Sequence, residues 1–129
     1  MKYYIASPLF TEYERNRIAT LAELLRRNGH EVYVPMEHQS PGAWDMSNEE
    51  WGKRVFAEDV KALDACDHVY VLYYGLYSDS GTAWEQGYAY AKGKKITVFN
   101  EGNSKEVSLM VVNGQTAPID GQFNNSYQT

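Results

Sequence analysis

Cysteine is nearly missing from this chain: Cys66 stands alone among 129 residues. An internal disulfide and a thiolate metal cluster are both excluded, and at the end of an apolar helical pattern Cys66 reads as a small core side chain. Histidine is scarce as well. His30, His38 and His68 lie far apart without metal-ligand spacing, so no metal is expected. Basic residues are outnumbered by acids, 12 to 17, for a net charge of −5. Without clustered Lys and Arg to neutralise phosphates, nonspecific nucleic-acid binding is not expected, and the partner should be a small molecule. No apolar run reaches the roughly 18 residues of a membrane span, and the start from Met1 to Ala6 is too short for the apolar core of a signal peptide. The expected location is cytoplasmic, with no membrane partner. Gly81 is a lone glycine rather than part of a GxGxxG or GxxxxGK[ST] phosphate loop, and acids beside it would repel phosphate.

What remains is one domain, residues 1–129, long enough for a single core and too short for two. Neither an internal repeat nor a linker interrupts it. Tyr3 to Ala6 reads as a first strand ended by Pro8. A helix from an N-cap at Thr11 to Asn28 follows, with Ile18, Leu21, Ala22, Leu24 and Leu25 on one face and Gly29 as its stop. Glu31 to Val34 is the second strand. After a polar loop, a second helix runs from about Ser47 to Ala65, with an apolar stripe of Trp51, Val55, Phe56, Val60 and Leu63. His68 to Leu72 and Lys94 to Phe99 read as further strands around a third helix. Glu106 to Val112 reads as a short helix, and Thr116 to Ile119 as a last strand or edge segment. Residues 120–129 form a loosely held tail. The alternation implies an α/β, flavodoxin-like three-layer sandwich around a central parallel five-stranded sheet.

The densest chemistry lies between Ser78 and Gly87, where the third strand hands over to the third helix. In open parallel sheets the ligand crevice sits at that end of the strands, so Asp79 and Glu85 should face a pocket. Thr82-x-x-Glu85 also fits a capping box, in which hydroxyl and carboxylate each take an orphan helix amide. A cap alone does not require a second acid, and Asp79 stands six residues before Glu85. Asp59 falls four residues after Val55 and four before Leu63, on the face turned toward the sheet. A carboxylate there must open on a polar cavity, have partners or carry a raised pKa. The alternative is that it lies at the stripe's edge and reaches water near Lys53 or Lys61.

Three acids converging at a sheet's carboxyl edge, with no metal-ligand set beyond them, suit glycosyl transfer. One carboxylate can attack the anomeric carbon and hold a covalent sugar ester while another group manages the leaving group's proton. Their mutual repulsion would raise at least one pKa toward neutrality. The eleven tyrosines suit half-buried strands and pockets that stack flat rings.

From Tyr4 to about Met110 the chain resembles the nucleoside 2-deoxyribosyltransferase family. The resemblance rests on Tyr4 to Phe10, Pro35 to Gln39, Asp59, and above all the run from Asp79 to Ala89. It implies Glu85 as the nucleophile that forms a deoxyribosyl ester, and Asp59 as the acid that protonates or orients the leaving base. It further implies Asp79 on the edge of the base, Phe10 against base or sugar, Gln39 hydrogen-bonded to the base, and Tyr4 among the substrate-binding residues. Substrates would be 2′-deoxynucleosides and nucleobases, in nucleotide salvage and without a cofactor. Ser108 stands where transferases usually have asparagine, a position that in the family reaches a neighbouring subunit's pocket, which implies a homo-oligomer with shared active sites. Serine there resembles the related deoxynucleoside 5′-monophosphate N-glycosidases, yet those hydrolases tend to carry serine where this chain has Asp79. Transferases also often end in an aromatic residue, whereas Tyr127 is close to the end without being terminal. The resemblance therefore implies a transferase, with the hydrolase as its alternative. A non-enzymatic nucleotide-binding domain on the same sheet is the third possibility.

Overall fold

A computed structural model describes residues 1–38, 47–102 and 106–118. Strands β1 (Lys2–Ala6), β2 (Glu31–Tyr33), β3 (His68–Tyr73) and β4 (Lys95–Asn100) form one sheet in the order β2-β1-β3-β4, every pair parallel. Helices α1 (Glu12–Arg27), α2 (Asn48–Ala65), α3 (Ser80–Ala91) and α4 (Leu109–Asn113) connect and follow them.

Alternation along the strands sorts the two cores. Tyr3 and Ile5 of β1, with Tyr70, Leu72 and Phe99, pack against Ile18, Leu21, Ala22 and Leu25 of α1. Tyr4 and Ala6, with Val69, Val71, Tyr73 and Ile96, pack against Leu63 of α2, Ala89 of α3 and Val111 of α4. Opposite faces of one pleated ladder thus face opposite helical layers, the three-layer arrangement expected of alternating β and α units.

Local chemistry sets the boundaries. Thr11 caps α1 in a reciprocal capping box with Glu14, and Gly29 takes a φ of 85° just beyond the helix, a conformation that only glycine adopts without penalty. The Ser47 hydroxyl accepts the amide of Glu50 at the start of α2. Leu24 is exposed on α1, and Trp51 and Phe56 are exposed on α2, so both apolar faces are narrower than their periodicity implies. The Arg17 guanidinium reaches the buried Glu101 carboxylate at 3.0 Å, tying α1 to the end of β4.

The described residues form four strands, not five. The amides of Thr116 and Ala117 both donate to the Ile96 carbonyl, while the Thr116 hydroxyl and the Gln115 side-chain carbonyl accept the amides of Ile96 and Val98. Side chains therefore satisfy the edge of β4 where a fifth backbone would have to pair, and Pro118 has no amide to continue a ladder. Helix α4 starts at Leu109, capped by Ser108, rather than at Glu106. Gln39, Ile119 and the tail from 120 to 129 lie outside the described residues. No described helix is long and apolar enough to cross a membrane.

Candidate active site

The chain crosses from β2 past β1 to β3, so the order of strands reverses between β1 and β3. A crevice opens beyond the carboxyl ends of strands at such a switch point. Here a cavity of about 580 Å³ lies beyond the end of β1, against α2 and α3, and its walls include Asp59, Asp79, Glu85 and Phe10 together with Trp51 and Trp84.

Helix α3 begins at Ser80, three residues earlier than a cap at Thr82 would require. Thr82 is instead buried inside the helix with its hydroxyl unpaired. Glu85 is therefore no capping residue, and its carboxylate turns inward, where the Tyr4 hydroxyl donates a short hydrogen bond to Oε2. Asp79 occupies the N-cap position without spending its side chain on the helix amides. Asp59, half-buried on α2, accepts a hydrogen bond at Oδ1 from the Tyr33 hydroxyl at 3.1 Å.

Electrostatics follow from this burial. The Glu85 carboxyl is pushed up to about 8, chiefly by burial, with the nearby charges of Asp59 and Asp79 adding to the rise and the Tyr4 bond opposing it. The Asp59 carboxyl is also raised, by burial first and by Glu58, while the bond from Tyr33 and the proximity of His38 work against the shift. Burial and the neighbouring Glu85 charge drive the Tyr4 phenol far up, so that it keeps its proton and donates a hydrogen bond to Glu85. Two coupled carboxyls raised toward neutrality beside a largely apolar cavity are the groups from which acid–base or nucleophilic chemistry is built. Among the described residues no group of three or more His, Cys, Asp or Glu side chains could hold a metal ion.

The sequence pattern of the family described as nucleoside 2-deoxyribosyltransferase matches residues 3–121. The chain belongs to that family. Among solved structures, a 2-deoxyribosyltransferase from Bacillus psychrosaccharolyticus superposes with a TM-score of 0.85 at 30% identity, covering 100% of this chain and 92% of that one. A CMP N-glycosidase from Clostridium botulinum shares the fold with a TM-score of 0.66 at 20% identity, over 98% of this chain and 95% of the other. A 2-deoxyribosyltransferase from Leishmania mexicana does so with a TM-score of 0.63 at 21% identity, over 93% of this chain and 75% of its own. No curated protein sequence matches.

Against the residues that the family resemblance singles out, the structure brings Glu85, Asp59, Asp79 and Phe10 to one cavity. Tyr4 is fully buried and is not among the residues lining that cavity. Its hydroxyl donates to Glu85. Ser108 lies elsewhere. Its hydroxyl caps α4 by accepting the Val111 amide, its own amide donates to the Tyr73 hydroxyl, and it lines a second cavity of about 630 Å³ with Gln86 and Met110. Tyr33 and Gln86 escaped notice in the sequence. Tyr33 reads there as an ordinary strand residue, and the bond from the Gln86 amide to the Val111 carbonyl, which clasps α4 to α3, joins segments 25 residues apart that no periodicity links.

Proposed function

We propose that this chain exchanges the base of a 2′-deoxynucleoside through a covalent deoxyribosyl ester on Glu85. The observation that carries the reading is the Glu85 carboxylate itself: one oxygen is engaged by Tyr4 and the group faces a cavity that it shares with Asp59 and Asp79. Oε1, the oxygen not held by Tyr4, attacks the anomeric carbon as the bond to the base breaks. The departing base takes a proton from Asp59. A second base then displaces the carboxylate from the same carbon and returns its proton to Asp59, so two displacements restore the original configuration. Exposed Trp51 and Trp84 on the cavity's rim offer flat faces to a base or sugar, and Asp79 accepts hydrogen bonds from the base edge.

In this reading Ser108 serves a neighbouring copy. Leu109 and Met110, which follow it, are 74% and 84% exposed, and an assembly of at least two copies would cover them while bringing Ser108 to the partner's cavity. Such exchange belongs with base salvage in the cytoplasm.

Incubating the protein with deoxyinosine and adenine should yield deoxyadenosine and hypoxanthine, read by chromatography. Free base released only from a deoxynucleoside 5′-monophosphate would replace transfer with hydrolysis. Tight binding without any turnover would point to a sensor.

A second expectation concerns Gly81. A Cβ built there stands 2.8 Å from Asp79 Oδ2, so Gly81→Ala must push that carboxylate aside. Because alanine suits a helix better than glycine, the fold should not weaken. The Michaelis constant for the nucleoside should rise about tenfold, as for loss of a charged hydrogen bond, with an unchanged melting temperature. An unchanged Michaelis constant would detach Asp79 from base recognition.

A further inference from the structure

Two of the three cavity carboxylates are held by two tyrosines, and the sheet's register builds that pair. Tyr4 of β1 and Tyr33 of β2 are partners in the parallel ladder, so their side chains leave the same face side by side. Their rings stack with centroids 5.4 Å apart and planes 13° from parallel. On the far side, the imidazole of His38 stacks on Tyr33 at 4.2 Å and 9°. One phenol donates to Glu85 and the other to Asp59. Tyr33 does not line the cavity that holds the three acids; it borders a separate pocket with Tyr3 and Cys66. Whatever Tyr33 contributes to chemistry therefore passes through Asp59.

We propose that Tyr33 is a positioning residue: clamped between Tyr4 and His38, its hydroxyl fixes Asp59 Oδ1 and so aims the other carboxyl oxygen at the leaving base. The proposal rests on the reading of Asp59 as the acid of base exchange. A carboxylate at the middle of a helix otherwise samples several rotamers, and a donor anchored in a three-ring stack selects one of them. The phenol remains protonated, because burial and the neighbouring Asp59 charge drive its own ionisation upward, so the bond persists whether Asp59 is charged or neutral. The titratable groups around Asp59 are Tyr33 on β2, Tyr4 on β1, His38 beyond the following turn, Glu85 on α3 and Glu58 on its own helix. Of these, Tyr33 is the one that hydrogen-bonds it.

Tyr33→Phe keeps the ring and its stack and deletes only the hydroxyl. Turnover should fall about tenfold with the Michaelis constant within about twofold, as expected for a group acting on the transition state alone. The lost bond favoured the charged carboxylate, so the limb of the pH–rate profile that belongs to Asp59 should move upward. The same substitution placed on Asp59→Asn should slow that variant no further, because the two residues act as one unit. Independently of activity, the carboxyl 13C resonance of Asp59, assigned by its loss in Asp59→Asn, should titrate with a higher midpoint in Tyr33→Phe. An unmoved midpoint, or a full further loss on the Asp59→Asn background, overturns the proposal. A midpoint that moves in a protein lacking base exchange would leave Tyr33 as the anchor of Asp59 and reject the exchange reaction instead.

Discussion

Glu85→Gln is expected to lower base exchange by at least about 10⁴-fold, the scale on which covalent nucleophiles fail when replaced, while the fold holds or gains stability. The amide keeps nearly the same volume, and its carbonyl still accepts the hydrogen bond from Tyr4, but it cannot form the sugar ester. In the native chain the ester should be trapped when the second base is withheld, as a mass increment on the peptide containing Glu85; the variant should show none. Acidity adds a second signature. With its carboxyl pushed up to about 8, Glu85 is mostly protonated at neutral pH in the empty site, and because the reaction also needs the proton on Asp59, kcat/KM should be bell-shaped and fall above about 8 as the pair loses its last proton. Stability shows the decline alone. The folded state holds this proton more tightly than the unfolded chain, whose carboxyl sits at 4.5, so stability present below that value is lost progressively as pH rises through about 8. Glu85→Gln removes the penalty and should melt about 5 °C or more above the native protein at pH 8.5, with the gap closing at pH 5. Exchange within tenfold of native would dismiss Glu85 as the nucleophile.

That the proposed nucleophile should destabilise its own fold follows from where the chain places it, and much of that placement was legible in the amino-acid order. Val55, Asp59 and Leu63 recur at one-turn spacing, which aims Asp59 inward whatever the tertiary detail. The strand–loop–helix pattern around Asp79 sets the acids at the sheet's carboxyl edge by topology alone. Where local pattern falls short, side chains compete with backbone. Thr82 and Glu85 have the spacing of a cap, but the helix begins earlier, at Ser80. Thr116 and Gln115 use side-chain oxygens to close the edge of β4, so a strand-like stretch never joins the ladder. Tyr33 was invisible as a functional residue for a different reason. Its importance lies in parallel register with Tyr4 and in a bond across 26 residues to Asp59, and register between strands is a property of the folded sheet that no local pattern encodes.

Asp59→Asn carries the second large effect, a fall in turnover of about 10² to 10³-fold on deoxyinosine with little change in the Michaelis constant, as for loss of a general acid. The substitution is nearly isosteric, and the asparagine carbonyl can accept the Tyr33 hydroxyl that now reaches Oδ1, so geometry survives while the proton is lost. Burial raises the Asp59 carboxyl above its ordinary value and the adjacent Glu58 charge adds to this, the direction that favours the proton-bearing form. A structural role and a proton-donating role are separated by the leaving group. With a deoxyriboside whose leaving group is acidic enough to depart as an anion, the variant's deficit in ester formation should shrink to less than about tenfold, because no proton need be supplied. The second displacement still needs a group to take the proton of the incoming base, so the ester on Glu85 should now accumulate and be visible by intact-protein mass. A deficit of equal size for both leaving groups would make Asp59 a structural or orienting residue, and turnover of deoxyinosine within threefold of native would remove it from the reaction altogether.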